Sequence, residues 1–189
     1  FDAPGGRLRA VRTEHGVLDC DAAVIAAGIG SASLARAAGD AVPLASERGY
    51  HVVVAAPGFT LASPVMPSDG KMANTSTRAG LRLAGQVELA AVDAPPDWRR
   101  ADILLAHARR AYPALAALPA RSEGMPRWLG HRPSTPDGLP VIGPAHGIAG
   151  IVHAFGHGHV GLAAAPATAD LVAELVGGRA SGIDPAPYA

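Results

Sequence analysis

The chain has 189 residues, of which 49% are hydrophobic and 4% aromatic, and its formal net charge is zero. This length suits one ordinary domain or two small pieces, and the apolar content is sufficient for a packed core. The zero net charge and the lack of a basic block argue against nucleic acid or an anionic membrane surface as a partner. No apolar run approaches the roughly 20 residues of a membrane helix, and the single Cys20 excludes an internal disulfide.

The chain begins with a predicted hairpin. Residues Arg7 to Thr13 alternate between polar and apolar side chains, Glu14 to Gly16 form a turn, and Val17 to Cys20 begin the answering strand.

A buried strand and a short helix follow the hairpin. The continuous apolar run from Ala22 to Ala27 predicts a strand covered on both faces, and Ser31 to Ala38 predict a helix. Between them, Gly28 to Ser33 imitate the first part of a dinucleotide-binding fingerprint. That fingerprint requires an acid at the end of the next strand, whereas Glu47 precedes the next apolar run, so a primary dinucleotide site is disfavoured. A purely structural strand-to-helix turn is the other interpretation.

The middle of the chain predicts an antiparallel sheet followed by a helix. Tyr50 to Val54 and Leu81 to Ala84 have strand patterns, and the Pro- and Gly-rich stretches between them are predicted as loops. Asp97 to Arg110 have a helical pattern that Pro113 ends.

An arginine in a stiff turn is the first candidate for chemistry. Pro133 favours an extended conformation at Arg132, and Pro136 to Gly138 form a strong turn signal. A guanidinium held by a rigid backbone is suited to bidentate capture of a carboxylate. The alternative is a surface arginine that stabilises its own turn. Nearby Trp128 is expected to be a packing residue more often than the wall of a ligand site.

A strand, a glycine-rich bend and a helix complete the pattern. Ile151 to Phe155 are apolar and β-prone, Gly156 to Gly161 allow close approach of a ligand to the backbone, and the glycine pair Gly177–Gly178 ends the helix that follows. The N-terminus of that helix favours negative charge beside the bend.

Three histidines in this region raise the alternative of a metal site. His153, His157 and His159 could converge only on a helix, and the glycines on both sides of His157 argue against one. We therefore predict no metal.

Several of these motifs together resemble one protein family. Trp128-x-Gly-x-Arg-Pro-x-Thr-Pro-Asp-Gly-x-Pro-x-Ile-Gly143 is followed by Gly156-His-Gly-x-x-Gly161 and an alanine-rich helix. Upstream, Asp21 to Gly28 and Leu81 to Leu89 look like two further strands of the family, in the right order. The chain thus resembles the C-terminal part of the FAD-dependent D-amino acid oxidase superfamily, and within it the bacterial D-amino acid dehydrogenases most.

The resemblance implies an α/β (α+β) fold with two domains. Residues 1–47 and 124–189 would be segments of a Rossmann-like FAD domain, and residues 48–123 would be a substrate domain built on an antiparallel sheet. The βαβ unit with which the family opens has no counterpart in this sequence. We therefore expect the chain to be the C-terminal half of a flavoenzyme, inactive without an N-terminal FAD-binding half.

The function implied is oxidation of D-amino acids to 2-oxo acids and ammonia by hydride transfer to FAD, with a quinone or oxygen as the electron acceptor. The resemblance also implies a cytoplasmic protein, or one peripheral at the inner face of the bacterial membrane. The alternatives are a glycine- or sarcosine-type amine oxidase and a non-catalytic fragment that acts as an interaction or structural module.

Site residues are carried over by position in these motifs. Arg132 matches the arginine that grips the substrate α-carboxylate, and His159 is a second catalytic candidate that faces either substrate or flavin. Substrate contacts are expected from Tyr50, His51 and Met72. Cofactor contacts are expected from Ala27, Gly28, Gly156, Gly158, His159, Val160, Gly161 and Leu162. The glycine oxidase pattern has tyrosines where this chain has Pro64 to Met66 and Met72 to Thr75. That departure favours a dehydrogenase of broad or apolar specificity.

Overall fold

The computed structural model describes residues 1–189 and divides into two compact units. Unit 1 contains Phe1–Ser46 and Arg132–Ala189, and unit 2 contains Glu47–His131. The second boundary therefore lies after His131, later in the chain than the boundary expected after residue 123. No helix combines the length and the apolar character needed to cross a membrane.

The elements follow one another in a simple order. They are β1 (Ala10–Thr13), β2 (Gly16–Asp19), β3 (Ala23–Ile25), α1 (Ser31–Ala37), β4 (Ala45–Val54), β5 (Met72–Thr77), β6 (Gly80–Leu89), α2 (Arg99–Ala111), β7 (Arg127–Ser134), β8 (Val141–Pro144), β9 (Ile151–Phe155) and α3 (Gly161–Val176).

Unit 1 combines a hairpin with a three-stranded sheet. Strands β1 and β2 pair antiparallel, as the alternating pattern predicts. The sheet has the order β3-β9-β8, in which β3 is parallel to β9 and β8 is antiparallel to it. Leu8, Ile25, Ala35, Ile151 and Phe155 form the centre of its core. The predicted strand ending before Gly28, the short helix and the strand before the glycine bend are thereby confirmed. Strand β3 is not covered on both faces as predicted, because Val24 is 44% exposed.

Unit 2 is a four-stranded sheet with α2 packed against one face. The strand order is β5-β6-β4-β7, and β6 pairs antiparallel with both β4 and β5. Alternate residues of β4 and β6, including Val52 and Leu83, join Leu104 of α2 in a buried core. The intervening residues of the strands face away from α2, because successive side chains in a strand point to opposite faces. The predicted antiparallel sheet and helix are confirmed.

Two local predictions need correction. Arg132 lies in strand β7 rather than in a stiff loop, although its predicted extended conformation is confirmed, and Met72–Thr77 form strand β5, whose bounds the sequence pattern did not predict. In both cases pairing with a distant segment decides the conformation. Strand β5 pairs with β6 from Met72 to Thr77, and Ser134 at the end of β7 forms a bridge with His157. The turn after β7 agrees with the prediction, since Gly138 has φ +77° and Leu139 N–H donates to the Asp137 carboxylate at 3.0 Å.

Candidate functional site

Two glycine bends lie at the same edge of the unit 1 sheet. Strands β3 and β9 are parallel neighbours, and each runs into a bend at its carboxyl end. Gly28 after β3 has φ +57°, and Gly156 and Gly158 after β9 have φ +89° and +52°. A Cβ atom at Gly28 would meet no atom within 4 Å, so the backbone there faces open space. The crevice outside the carboxyl ends of parallel strands is where α/β sheets commonly bind ligands.

The bend after β9 is fastened to the strand that carries Arg132. Gly158 N–H donates to the carbonyl of Pro133 at 2.9 Å, and His157 forms a bridge with Ser134. A Cβ atom at Gly156 would lie 3.1 Å from Cγ2 of Thr135, which is tighter than an ordinary contact. The structure thus brings the arginine motif and the glycine bend together, although 24 positions separate Arg132 from Gly156 in the sequence.

Arg132 is held by this arrangement. The residue is partly buried, and its Nη1 atom is shielded from solvent. Its neighbour Pro133 accepts the hydrogen bond from Gly158, which connects the backbone that carries the guanidinium to the bend. A planar donor group presented in this way is suited to a carboxylate.

The N-terminus of α3 supplies backbone donors at the bend. The first hydrogen bond of the helix runs from Ala164 N–H to the carbonyl of Val160 at 2.9 Å. The N–H groups before Ala164 lie in the first turn, where a helix has no internal acceptors for them. Val160 is 58% exposed and Leu162 is 94% exposed, so this end of the helix is open. It can hold an electron-rich or negatively charged group.

The turn after β3 is held by its own hydrogen bonds. Ala27 N–H donates to the hydroxyl of Ser31 at 2.9 Å, and the Ala27 carbonyl accepts from Gly30 N–H at 3.1 Å. Both backbone groups of Ala27 therefore serve the turn itself, although Ala27 is exposed, and the space beside Gly28 is open. Ser31 is fully buried and holds this turn. The sequence analysis missed that role, because the Ser31 hydroxyl accepts from Ala27 ahead of the helix rather than capping a helical N–H group.

The three histidines near the bend turn to different partners. His153 is buried and its Nε2 donates to Asp40 at 2.8 Å, whereas His157 Nε2 is hydrogen-bonded to the hydroxyl of Thr168 at 2.9 Å. His159 is exposed. They do not form one ligand set, and burial lowers the pKa of His157, which favours its neutral form.

Asp40 is a partly buried anchor that the sequence analysis did not single out. Its carboxylate accepts from His153, from Nδ1 of His146 at 2.8 Å and from the backbone N–H of His146 at 3.1 Å. Burial opposes ionisation of this carboxyl, but the hydrogen bonds from His153 and His146 outweigh it and lower the pKa of Asp40. The carboxylate thereby ties the end of α1 to strand β9, which leads into the bend.

The three expected substrate contacts in unit 2 do not share one face of the sheet. Tyr50 is 1% exposed, and its hydroxyl is hydrogen-bonded to Glu88 and to the backbone N–H of Asp97. Met72 is 2% exposed in the core against α2. Only His51, which points to the opposite face from Tyr50, remains a candidate for substrate contact. The alternation of strand β4 decides this difference.

Comparison with known proteins finds a matching family and relatives whose descriptions agree with one another. Residues 1–175 match the model of a family described as DAO, FAD dependent oxidoreductase. The chain is 48% identical over 185 residues to a D-amino-acid oxidase of Bradyrhizobium diazoefficiens, which covers 97% of this chain and 44% of the relative. It is 36% identical over 201 residues to D-amino acid dehydrogenase 2 of Ralstonia nicotianae, covering 98% of this chain and 45% of the relative.

A solved structure agrees with these relatives. The crystal structure of glycine oxidase from Geobacillus kaustophilus superposes with a TM-score of 0.80 at 28% identity, covering 95% of this chain and 48% of that one. The chain thus spans about half the length of these similar proteins.

Proposed function

This chain belongs to the family of FAD-dependent oxidoreductases, and we propose that it is part of an enzyme that oxidises D-amino acids to 2-oxo acids and ammonia. The observation that carries the proposal is the hydrogen bond from Gly158 to Pro133, which fixes Arg132 beside the glycine bend and the N-terminus of α3. This arrangement supports the proposal because a guanidinium suited to a carboxylate and a set of backbone donors then belong to one edge of unit 1.

The residues at this edge fit the polar parts of FAD. Gly28 leaves open space where a side chain would stand, and the first turn of α3 offers N–H groups to an electron-rich ring edge or a phosphate. We propose Gly28, His159, Gly161 and Leu162 as cofactor contacts. Gly156, Gly158 and Val160 shape the bend, since the N–H groups of Gly158 and Val160 are used within unit 1.

The chain's own residues then have separate tasks. Arg132 binds the α-carboxylate of the substrate and so orients its Cα–H bond. The N-terminus of α3 stabilises negative charge that develops nearby during the reaction. When bound, FAD supplies the hydride acceptor. The imino acid that leaves the site hydrolyses in water to the 2-oxo acid and ammonia.

The assignment to D-amino acids rests on the relatives and the motif order. Both relatives described above carry names that refer to D-amino acids. We propose that the chain corresponds to the C-terminal half of such an enzyme, with unit 1 as part of the FAD domain and unit 2 as the substrate domain. An N-terminal FAD-binding half would complete it, and a quinone or oxygen would re-oxidise the flavin.

A second candidate is a glycine- or sarcosine-type amine oxidase, which the likeness to a glycine oxidase structure favours. The two candidates differ in the size of the substrate side chain. A third candidate is an interaction module without a cofactor. This candidate requires that neither the chain nor the complete protein binds flavin.

Two measurements on the complete protein test these candidates. A visible spectrum should show flavin absorption, and a colourless protein that gains no flavin on incubation with FAD would overturn the enzyme proposal. Steady-state rates with D-alanine, larger D-amino acids, glycine and sarcosine should then place the D-amino acids first. Faster turnover of glycine or sarcosine would instead support the second candidate.

A further inference from the structure

The side chain of His157 connects the glycine bend with the interior of α3. Its Nε2 atom is hydrogen-bonded to the hydroxyl of Thr168 at 2.9 Å, although 11 positions separate the two residues. Both residues are partly buried, and both belong to unit 1. The contact therefore joins the segment in front of the helix to a point about two turns inside it.

The imidazole lies directly against the first residue of α3. A Cβ atom at Gly161 would lie 3.2 Å from Cβ of His157 and 3.9 Å from its Cγ atom. The first of these distances is tighter than an ordinary contact, so a larger side chain at position 161 would press on His157. The backbone of His157 is held as well, because its carbonyl accepts from Val160 N–H at 3.1 Å and Ser134 forms a bridge with it.

A proline interrupts α3 between its first turn and Thr168. Pro166 lies inside the helix. Because proline has no N–H group, the carbonyl of Leu162 lacks the donor that a regular helix supplies four residues later. The first turn of α3 is therefore connected to the rest of the helix by fewer backbone hydrogen bonds than a turn without proline. The bond between His157 and Thr168 spans this interruption, since one partner precedes the helix and the other follows Pro166.

The imidazole of His157 holds this position as a neutral ring. Burial lowers the pKa of His157, which keeps the ring uncharged near pH 7. A neutral imidazole has one donor and one acceptor nitrogen, and a hydroxyl both donates and accepts, so either tautomer can pair with Thr168. A charged imidazole would instead place a positive charge beside the N-terminus of α3, where cations are unfavourable.

We propose that His157 is a positioning residue, which holds the first turn of α3 in a fixed orientation through its bond to Thr168. The N–H groups of this turn precede Ala164, which makes the first hydrogen bond of the helix. Their direction decides how well they meet an electron-rich group. The inference rests on the proposed function, in which these donors contact FAD and stabilise negative charge, and it adds the residue that aligns them.

Two substitutions remove the hydrogen bond and keep side chains of similar shape. Thr168→Val replaces the hydroxyl with a methyl group, and His157→Phe keeps a flat ring without nitrogen atoms. Thr168→Ser retains the hydroxyl and is the matched control, which should behave as wild type. Because both substitutions remove the same bond, the double variant should be no more affected than either single variant.

Amide hydrogen exchange in the complete protein detects loosening of the first turn without turnover. The amides of Ala164 and Gly158 form hydrogen bonds on the two sides of His157. In both variants these amides should exchange about 2- to 12-fold faster, as expected for the loss of one hydrogen bond. The amide of Ala145, which is also hydrogen-bonded within unit 1, is the internal reference and should be unchanged.

The flavin midpoint potential tests the consequence for the cofactor. Donors aimed at the flavin ring stabilise its reduced form, which is richer in electrons than the oxidised form. Loss of their alignment should lower the affinity for reduced FAD relative to oxidised FAD about 2- to 12-fold. This change lowers the two-electron midpoint potential by about 10 to 30 mV. Wild type and Thr168→Ser should share one potential, and Thr168→Val should lie below it.

The outcomes distinguish this role from the proposed function. If Thr168→Val changes the exchange and the potential, Thr168→Ser keeps the wild-type values and no D-amino acid is oxidised, the proposed function fails and the role of His157 stands. If D-amino acids are oxidised but the potential of Thr168→Val equals that of wild type, the role is refuted and the function stands. Faster exchange that extends to Ala145 would also refute the role, because His157 would then stabilise unit 1 as a whole. A protein that takes up no FAD would overturn the proposed function, and the exchange at Ala164 would still decide whether His157 orients the turn.

Discussion

Arg132 concentrates the chemistry of the proposed site in one side chain. A planar guanidinium presents two parallel donors to a carboxylate, and its strand is held by the hydrogen bond between Pro133 and Gly158. The backbone position of Arg132 is therefore set by contacts that do not involve the guanidinium itself. This separation makes the residue suitable for substitution, because a change of side chain leaves the bend in place.

We expect Arg132→Ala in the complete protein to abolish turnover of D-amino acids while FAD stays bound. Removing one partner of a desolvated ion pair costs about 3 to 5 kcal/mol, which corresponds to a loss of roughly a hundred- to several-thousand-fold in kcat/KM. Arg132→Lys should restore only part of the activity, because a single ammonium does not reproduce the planar fork.

The measurement is steady-state kinetics alongside the flavin spectrum. Arg78→Ala, at an exposed arginine in the β5–β6 turn, is the control and should leave kcat/KM unchanged. Near-normal efficiency of Arg132→Ala would refute the assignment of this residue.

Asp40 is the second residue whose role can be tested alone. Its pKa is lowered in the folded chain, so the unfolded chain takes up a proton first as the pH falls below the ordinary value of 3.8. The stability that Asp40 contributes is thus complete well above that pH and is lost as the pH falls through its folded pKa. Asp40→Asn should lower the unfolding free energy by about 1 to 3 kcal/mol at pH 7.

Urea denaturation at pH 7 and in acid checks this prediction. The difference between wild type and Asp40→Asn should shrink as the pH falls below 3.8 and should be smallest below the folded pKa of Asp40, where both carry a neutral side chain. Asp93→Asn, at an exposed position, should have little effect at either pH. A difference between wild type and Asp40→Asn that does not change with pH would contradict the assigned role of the carboxylate.

At the scale of elements, the features predicted correctly are those with strong local patterns. Strand β9 has an unbroken apolar run between turn residues, and α3 ends where its glycine pair begins. Strand β5 and the strand character of Arg132 depend on partners far away in the sequence, so local pattern could not reveal them. Which of the side chains of Tyr50 and His51 is buried likewise depends on the side of the sheet that α2 covers. Asp40 was missed because its partner His153 lies 113 residues further along.

The packing of α2 against the unit 2 sheet gives a prediction for one element. Leu104 is fully buried against Val52 and Leu83, whereas its neighbour Ile103 is 40% exposed. Leu104→Ala should lower the unfolding free energy by about 2 to 5 kcal/mol, because the cavity left behind adds to the lost burial. Ile103→Ala, a deletion of similar size on the same helix, should cost less than about 1 kcal/mol. Equal losses in urea denaturation would show that α2 does not pack on the sheet through this face.

At the scale of the whole molecule, the main feature is the apolar surface of α3, which the rest of the chain leaves largely uncovered. The helix is rich in alanine, leucine and valine, yet Leu171 is its only buried residue, and Leu162 is 94% exposed. The sheet beneath it has β3 and β8 at its two edges. Exposed apolar faces and unpaired strand edges both favour association with another surface.

We therefore expect the 189-residue chain by itself to be poorly stable and prone to self-association. Burial of apolar area is the dominant stabilising term in folding, and α3 contributes little of it while its surface faces water. Thermal unfolding followed by circular dichroism should show a broad transition at low temperature, and size-exclusion chromatography should show species larger than a monomer that increase with concentration. Co-expression with the remaining part of a complete enzyme should sharpen the transition, because α3 and the edge of β3 would then be covered. A cooperative transition of a monomer at an ordinary temperature would contradict this expectation, since it would mean that the core of the two units outweighs the exposed face of α3.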